Sequence, residues 1–239
     1  LDRIHTPNRS AAAAREALAE GFEHVSLDLI YGTPGESDDE LLDSVDTAIE
    51  TGVDHVSAYA LVVEEGTALA RRVRSGEIAA PDDDVLAHRY ELVDERLSAA
   101  GFDWYEVSNW SHPGGQCRHN LGYWDGGQWW GAGPGAHSYV GTTRWWNVKH
   151  PNAYAQILDG ANLPVAGFEQ LDAENRHTED VLLGIRLRQG LALELLDDAE
   201  RERAAVAVED GLLTRDGERL VLTDRGRLLA DGVVRTLLG

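Results

Sequence analysis

Three short stretches of this sequence concentrate residues able to do chemistry. The first is Asp28-Leu29-Ile30-Tyr31-Gly32-Thr33-Pro34-Gly35, an acid within an otherwise apolar strand pattern just ahead of a Gly/Pro turn. Burying a carboxylate there is costly unless it is paired, and polar residues near the C-terminal ends of barrel strands face active sites. The plainer reading is an aspartate that hydrogen-bonds the turn after it. The second stretch is Cys117-Arg118-His119-Asn120-Leu121-Gly122-Tyr123-Trp124. One Cys–His pair is too little for a zinc site. His119, among Asn120, Tyr123 and Trp124, can ligate a haem iron through its imidazole, with the aromatics against the macrocycle. The competing reading is a histidine satisfied by hydrogen bonds in an aromatic core. The third is Trp130-Gly131-Ala132-Gly133-Pro134-Gly135-Ala136-His137-Ser138-Tyr139. Its glycines let the backbone approach a ligand closely. It is not a dinucleotide fingerprint: the third glycine comes too early, and Pro134 removes an N–H that a phosphate would use. A glycine-rich turn between strands is the alternative.

Regular elements must position these stretches. Residues 10–62 read helix–strand–helix–strand, the rhythm of parallel α/β structure. Ser10 is a candidate cap for a helix through Glu20. Val25–Ile30 alternates as a strand, and Ser37 with Glu40 forms a capping box ahead of Leu41, Leu42, Val45 and Ile49. Val56–Val62 is a second strand. A helix over 82–100 and a strand near 104–107 follow. All seven tryptophans fall within 104–146, among many glycines, a composition that predicts turns and short strands and no regular helix. Beyond about residue 171 the pattern predicts helices over 179–188 and 199–210, a hairpin over 212–222 turning at Asp216-Gly217, and a last helix capped by Thr223. That order is winged-helix-like.

Composition narrows the function classes. Lys and Arg total 21 against 42 Asp and Glu, a net charge of −21, which argues against nucleic acid as a partner. No apolar run is long enough to span a bilayer, although peripheral membrane contact stays open. No export signal is read at the N-terminus. Cys117 is the one cysteine: it cannot form an internal disulfide, which fits a cytoplasmic protein, and it cannot supply the thiolates of an iron–sulfur cluster. There is no methionine, which leads us to expect a piece of a longer protein.

Taken together, Asp28–Gly35, Tyr105-Glu106-Val107-Ser108-Asn109-Trp110, Cys117–Trp124, Gly131–Tyr139 and Trp145-Trp146-Asn147 resemble, in this order, the radical S-adenosylmethionine proteins known as oxygen-independent coproporphyrinogen III oxidase-like, whose best-characterised members are haem chaperones. The resemblance covers essentially the whole chain. It implies an α/β fold, the C-terminal part of a radical-SAM partial (β/α) barrel followed by a small α+β winged-helix-like domain. The expected divisions are 1–103 for the barrel remnant, 104–168 for an aromatic and Gly-rich barrel-edge segment, and 169–239 for the winged-helix-like domain. The family's C-x-x-x-C-x-x-C cluster loop does not occur in the sequence, so the expectation is a C-terminal portion that binds no [4Fe–4S] cluster and runs no radical chemistry by itself.

The same resemblance implies roles for particular residues. Arg3, Asp28, Val62 and His137 match positions on the S-adenosylmethionine side of the related oxidase, although the oxidase has an apolar residue where His137 stands. His119, Asn120, Tyr123 and Trp124 match the H-N-x-x-Y-W motif of the chaperone branch, with His119 the candidate iron ligand. The expected function is a haem-binding chaperone that delivers haem to haem proteins. The alternatives are oxidative decarboxylation of coproporphyrinogen III, in which the cofactor supplies the radical, and a cofactor-free winged-helix adaptor. An open barrel would also leave the strand at 25–30 with an unpaired edge.

Overall fold

The computed structural model describes Thr6 and residues 8–239. It divides into two compact units, Leu1–Cys117 and Arg118–Gly239. No helix among the described residues is long and apolar enough to cross a membrane.

The first unit contains α1 (Arg9–Ala19), β1 (Ser26–Tyr31), α2 (Asp38–Glu50), β2 (His55–Ala60), α3 (Ala68–Arg74), α4 (Asp83–Ala99), β3 (Asp103–Glu106) and β4 (Asn109–Ser111). β1 and β2 pair in parallel with Asp28 opposite Ser57, the βαβ arrangement that the helix–strand rhythm predicts. Period-2 alternation turns Leu27 and Leu29 toward the core and leaves Ser26, Asp28 and Ile30 exposed. The capping box at Ser37 forms as read: Ser37 accepts from the Glu40 N–H and Glu40 accepts from the Ser37 N–H. From there α2 packs Leu41 and Val45 against Val93 and Leu97 of α4 and Val56 and Ala58 of β2. Each such aliphatic side chain contributes on the order of 1.5–3 kcal/mol on burial. Gly32 is required in the turn after β1: its φ is +80°, and a Cβ there would lie 2.2 Å from the Leu86 side chain.

Two details of this unit differ from the sequence pattern. Ser10 does not cap α1. The cap is Asn8, in the left-handed conformation and without a side-chain bond, a conformation that asparagine tolerates better than most residues. The sheet is also not a simple parallel series. Its order is β1-β2-β4-β3, because β3 turns back at Val107-Ser108 and places β4 antiparallel between itself and β2. β4 has three residues, all buried, too few to show a period. Trp104, Tyr105 and Trp110 thereby join the first unit's core region, so residues 104–117 belong with the first unit in the contact division. β1 is an edge strand whose other side is unpaired among the described residues.

The second unit begins with α5 (Arg118–Trp124), followed by β5 (His137–Val140), β6 (Thr143–Asn147), α6 (Pro151–Asp159) and β7 (Val165–Gln170). β5, β6 and β7 form an antiparallel sheet in that order. The helix α5 corrects the expectation of turns and strands throughout 104–146. The glycines that suggested it flank the segment, at Gly114-Gly115 and Gly126-Gly127, and the seven residues of α5 carry a single glycine, Gly122.

The remainder of the second unit is α7 (Ala173–Gly184), β8 (Leu191–Ala192), α8 (Asp198–Glu209), β9 (Leu213–Asp216), β10 (Arg219–Leu222), α9 (Asp224–Leu228) and α10 (Ala230–Leu238), with a 3-10 turn at Leu193–Leu195. The Asp-Gly hairpin forms as expected, and β8 adds to it on the β10 side. Val181, Ile185, Leu213, Val233 and Leu237 form its core. This is the winged-helix-like arrangement. The last helix breaks at Leu229, and beyond the break α10 sends Val233, Val234 and Leu237 inward. Glu200, buried in the first turn of α8, closes a capping box with Asp197 and meets His177 Nε2 at 2.7 Å.

Candidate functional site

The H-N-x-x-Y-W residues lie together on α5. None of the helix's residues is buried. Helical spacing puts His119 and Tyr123 on one face, four residues apart. The Tyr123 hydroxyl and His119 Nε2 are 3.0 Å apart, with ring centroids 5.0 Å apart and edge-on. His119 is exposed. Trp124, at the end of the helix, has a buried indole N–H with no hydrogen-bond partner. Leaving such a donor unpaired costs about 1–3 kcal/mol.

Behind Tyr123 stands a series of aromatic rings that the sequence did not single out residue by residue. The Trp129 ring meets Tyr123 at 4.6 Å, nearly perpendicular, and Tyr139 at 5.3 Å. The Trp129 indole N–H donates to the His137 carbonyl at 3.1 Å, and its backbone pairs with that of Tyr139. Arg144 lies 5.5 Å over the Tyr139 ring and is held by Glu179 at 2.7 Å and Glu169 at 3.0 Å. The crowding of all seven tryptophans into 104–146 was the signal for this platform. Composition alone does not say which rings touch.

The glycine run at 131–135 serves this sheet. A Cβ on Gly131 would lie 2.1 Å from the His137 carbonyl oxygen. The Asn147 side-chain amide donates to the carbonyls of Gly131 and Gly133, at 3.2 and 3.0 Å. The close backbone approach is therefore made to the chain itself, and the expectation of a ligand beside these glycines gives way to the turn between strands.

The residues expected on the S-adenosylmethionine side are less concentrated. Arg3 lies outside the described residues. Asp28 is exposed on the open face of β1, so the buried carboxylate that the apolar strand pattern suggested is not there. Strand alternation, which puts only Leu27 and Leu29 inward, is the reason. Val62, two residues past the end of β2, is 67% exposed. His137 belongs to the other unit, where it stacks on Trp146 with centroids 5.8 Å apart. The Gly32–Gly35 turn is braced from beneath by Arg89, which bonds the Glu36 carboxylate at 3.1 Å, the Glu36 carbonyl and Asp38. The Gly32 N–H donates to the same Glu36 carboxylate at 2.7 Å.

The residues present do not fit an iron–sulfur cluster. Cys117 is the sequence's one cysteine, and among the described residues no group of three or more His, Cys, Asp or Glu side chains is placed to hold a metal ion.

A second histidine is wholly built into the fold. His55, buried at the start of β2, meets Ser26 Oγ through Nδ1 at 2.7 Å and the Tyr105 hydroxyl through Nε2 at 2.7 Å. Burial pushes its pKa below the ordinary imidazole value, opposed by the charges of Asp54 and Asp28. Beside it, burial pushes the Asp54 carboxyl up, but bonds from His24 and the Val25 N–H outweigh this and leave it below its usual range.

Known proteins resemble the chain over its full length. Residues 171–229 match the model of the HemN C-terminal domain. The chain is 78% identical over 239 residues to the heme chaperone HemW of Mycobacterium tuberculosis, covering 100% of this chain and 61% of that protein. It is 30% identical over 247 residues to the heme chaperone HemW of Bacillus subtilis, covering 100% of this chain and 65% of the relative. The chain thus spans somewhat less than two thirds of the length of these relatives. A solved structure, described as the coproporphyrinogen III oxidase HemN of Escherichia coli, a radical SAM enzyme, matches with a TM-score of 0.78 at 17% identity, over 99% of this chain and 59% of that chain. At that identity the likeness is one of fold, and it agrees with the partial-barrel and winged-helix-like architecture. Over its whole length the chain is therefore similar to proteins named heme chaperone HemW, and residues 171–229 match the HemN C-terminal domain.

Proposed function

We propose that this chain is the haem-holding part of a haem chaperone and that His119 is the axial ligand. The observation that carries this reading is the exposed imidazole of His119 on α5, beside Tyr123 and an aromatic platform. A neutral imidazole nitrogen is a good haem iron ligand, and flat aromatic surface suits a macrocycle. Tyr123 and Trp124 would flank the porphyrin, and Asn120 completes the motif. Relatives similar to the chain over its whole length are named heme chaperones. Haem is then cargo, and the recipients are haem-accepting proteins.

The S-adenosylmethionine side remains part of the proposal. The exposed Asp28 carboxylate would accept from a hydroxyl or ammonium group, and Val62 would contribute through its backbone. Arg3 is proposed for the same cofactor. The net charge of −21 disfavours nucleic acid as a partner, and we place the protein in the cytoplasm.

Titrating haem into wild type and His119→Ala and following the Soret band tests this reading. We expect at least a tenfold loss of affinity and a changed band position in the variant. Identical spectra and affinities would remove His119 from the site.

A further inference from the structure

On α5 the Tyr123 hydroxyl already occupies the His119 nitrogen that an iron would take. The phenol donates when Nε2 carries the lone pair, and accepts when Nε2 carries the proton. In both cases Nε2 is engaged, at 3.0 Å. A metal bound to a histidine nitrogen sits roughly 2.0–2.1 Å away, along the same in-plane direction. The two partners exclude each other.

We propose that Tyr123 is a cap on His119, closed in the resting protein, and that ligand entry at Nε2 requires the phenol to swing away. The proposal rests on the reading of His119 as the haem ligand and adds a positioning residue to it. What holds the cap closed is Trp129. Its ring meets that of Tyr123 at 4.6 Å and cannot easily yield. The indole N–H is bonded to the His137 carbonyl at 3.1 Å, and the Trp129 N–H and C=O both pair with Tyr139 at 2.9 Å. Tyr139 is in turn fixed beneath Arg144 and its two glutamates. On the other side α5 has no buried residue, and the Trp124 indole N–H lacks a partner. The sheet is the fixed side of the contact and the short helix is the side that can move. Opening the cap costs one exposed hydrogen bond and a ring contact, a small barrier that ligand binding can offset.

Two measurements on the intact chain test this. Diethyl pyrocarbonate adds to unprotonated imidazole nitrogen, so its rate of reaction at His119, read by peptide mass spectrometry, reports access to Nε2 without haem. Stopped-flow absorbance gives the rate of haem association. Tyr123→Phe keeps the ring on Trp129 and removes the hydroxyl. We expect both rates to rise about two- to tenfold, the range that one net hydrogen bond spans. Trp129→Leu, which loosens the support, should raise both in the same direction. Unchanged or slower modification of His119 in Tyr123→Phe would overturn the cap. Faster modification with slower haem association would overturn it too, by showing that the hydroxyl assists binding. If His119→Ala binds haem as wild type does, the ligand reading fails with the haem half of the proposal, while the modification rate still decides the His119–Tyr123 pairing.

Discussion

Two histidine–tyrosine pairs in this molecule sit in opposite surroundings. At the start of β2 His55 is buried, and both ring nitrogens are engaged, by Ser26 and by Tyr105. On α5 His119 is exposed, and Tyr123 engages one nitrogen. The chemistry of the contacts is the same: a phenol at hydrogen-bonding distance from Nε2. What differs is the surroundings. A fully bonded imidazole in a low-dielectric interior has no valence left for a ligand, and removing it strands its partners. A half-bonded imidazole on a surface helix can exchange its phenol for a metal at little expense to the fold. The position of a histidine relative to the core therefore separates structure from candidate function here, where the His–Tyr contact alone does not.

The largest expected effect of this contrast is on stability. His55→Ala should destabilise the protein by about 2–3 kcal/mol, because the Ser26 and Tyr105 hydroxyls lose a buried partner. His119→Ala should stay within about 0.5 kcal/mol of wild type, as an exposed substitution does. Urea unfolding of the two variants compares them directly. Equal losses would erase the distinction.

The same contrast should show in the pH dependence. His55 is held below its ordinary pKa in the fold, so the unfolded chain takes up the proton first. Stability from this group is complete above about pH 6.5, the unfolded value. It is lost as pH falls from there toward the lower folded value. Asp54, also held low, adds a separate loss only below about pH 4, the unfolded carboxyl range. Urea midpoints between pH 7.5 and 5.5 should fall in wild type and flatten in His55→Gln. A slope that persists in His55→Gln would place the upper transition on another group.

A smaller effect is expected at Trp124. Its indole N–H is buried without a partner, so Trp124→Phe should leave stability unchanged or raise it by up to about 1 kcal/mol. A loss of more than about 1 kcal/mol in thermal melts would show that the indole contributes through packing that outweighs the orphaned donor.

Much of the frame could be read from the residues because local signals agreed there. The Ser37–Glu40 capping box, the alternation at 25–30 and the Asp216-Gly217 hairpin each name their element without help from distant parts of the chain. The order of the motif stretches carried the resemblance. Three features were not readable, each for a physical reason. β4 is three residues long and all buried, so it has no period. α5 hides between glycine clusters that suggest loop. Asp28 lies in an apolar run, but alternation faces it outward. The His119 motif was evident as a set of residue types, whereas its pairing with Tyr123 needed α5 to be a helix. The support from Trp129 needed the pairing of β5 with a residue outside any strand.

The most direct test of His119 as ligand is low-temperature electron paramagnetic resonance of the ferric haem complex, with and without added imidazole. Wild type should show a histidine-ligated iron. His119→Ala should lose that signal and regain it when free imidazole is supplied, while His177→Gln, in the winged-helix-like domain, should match wild type. An unaltered histidine-ligated signal in His119→Ala without imidazole would contradict the assignment.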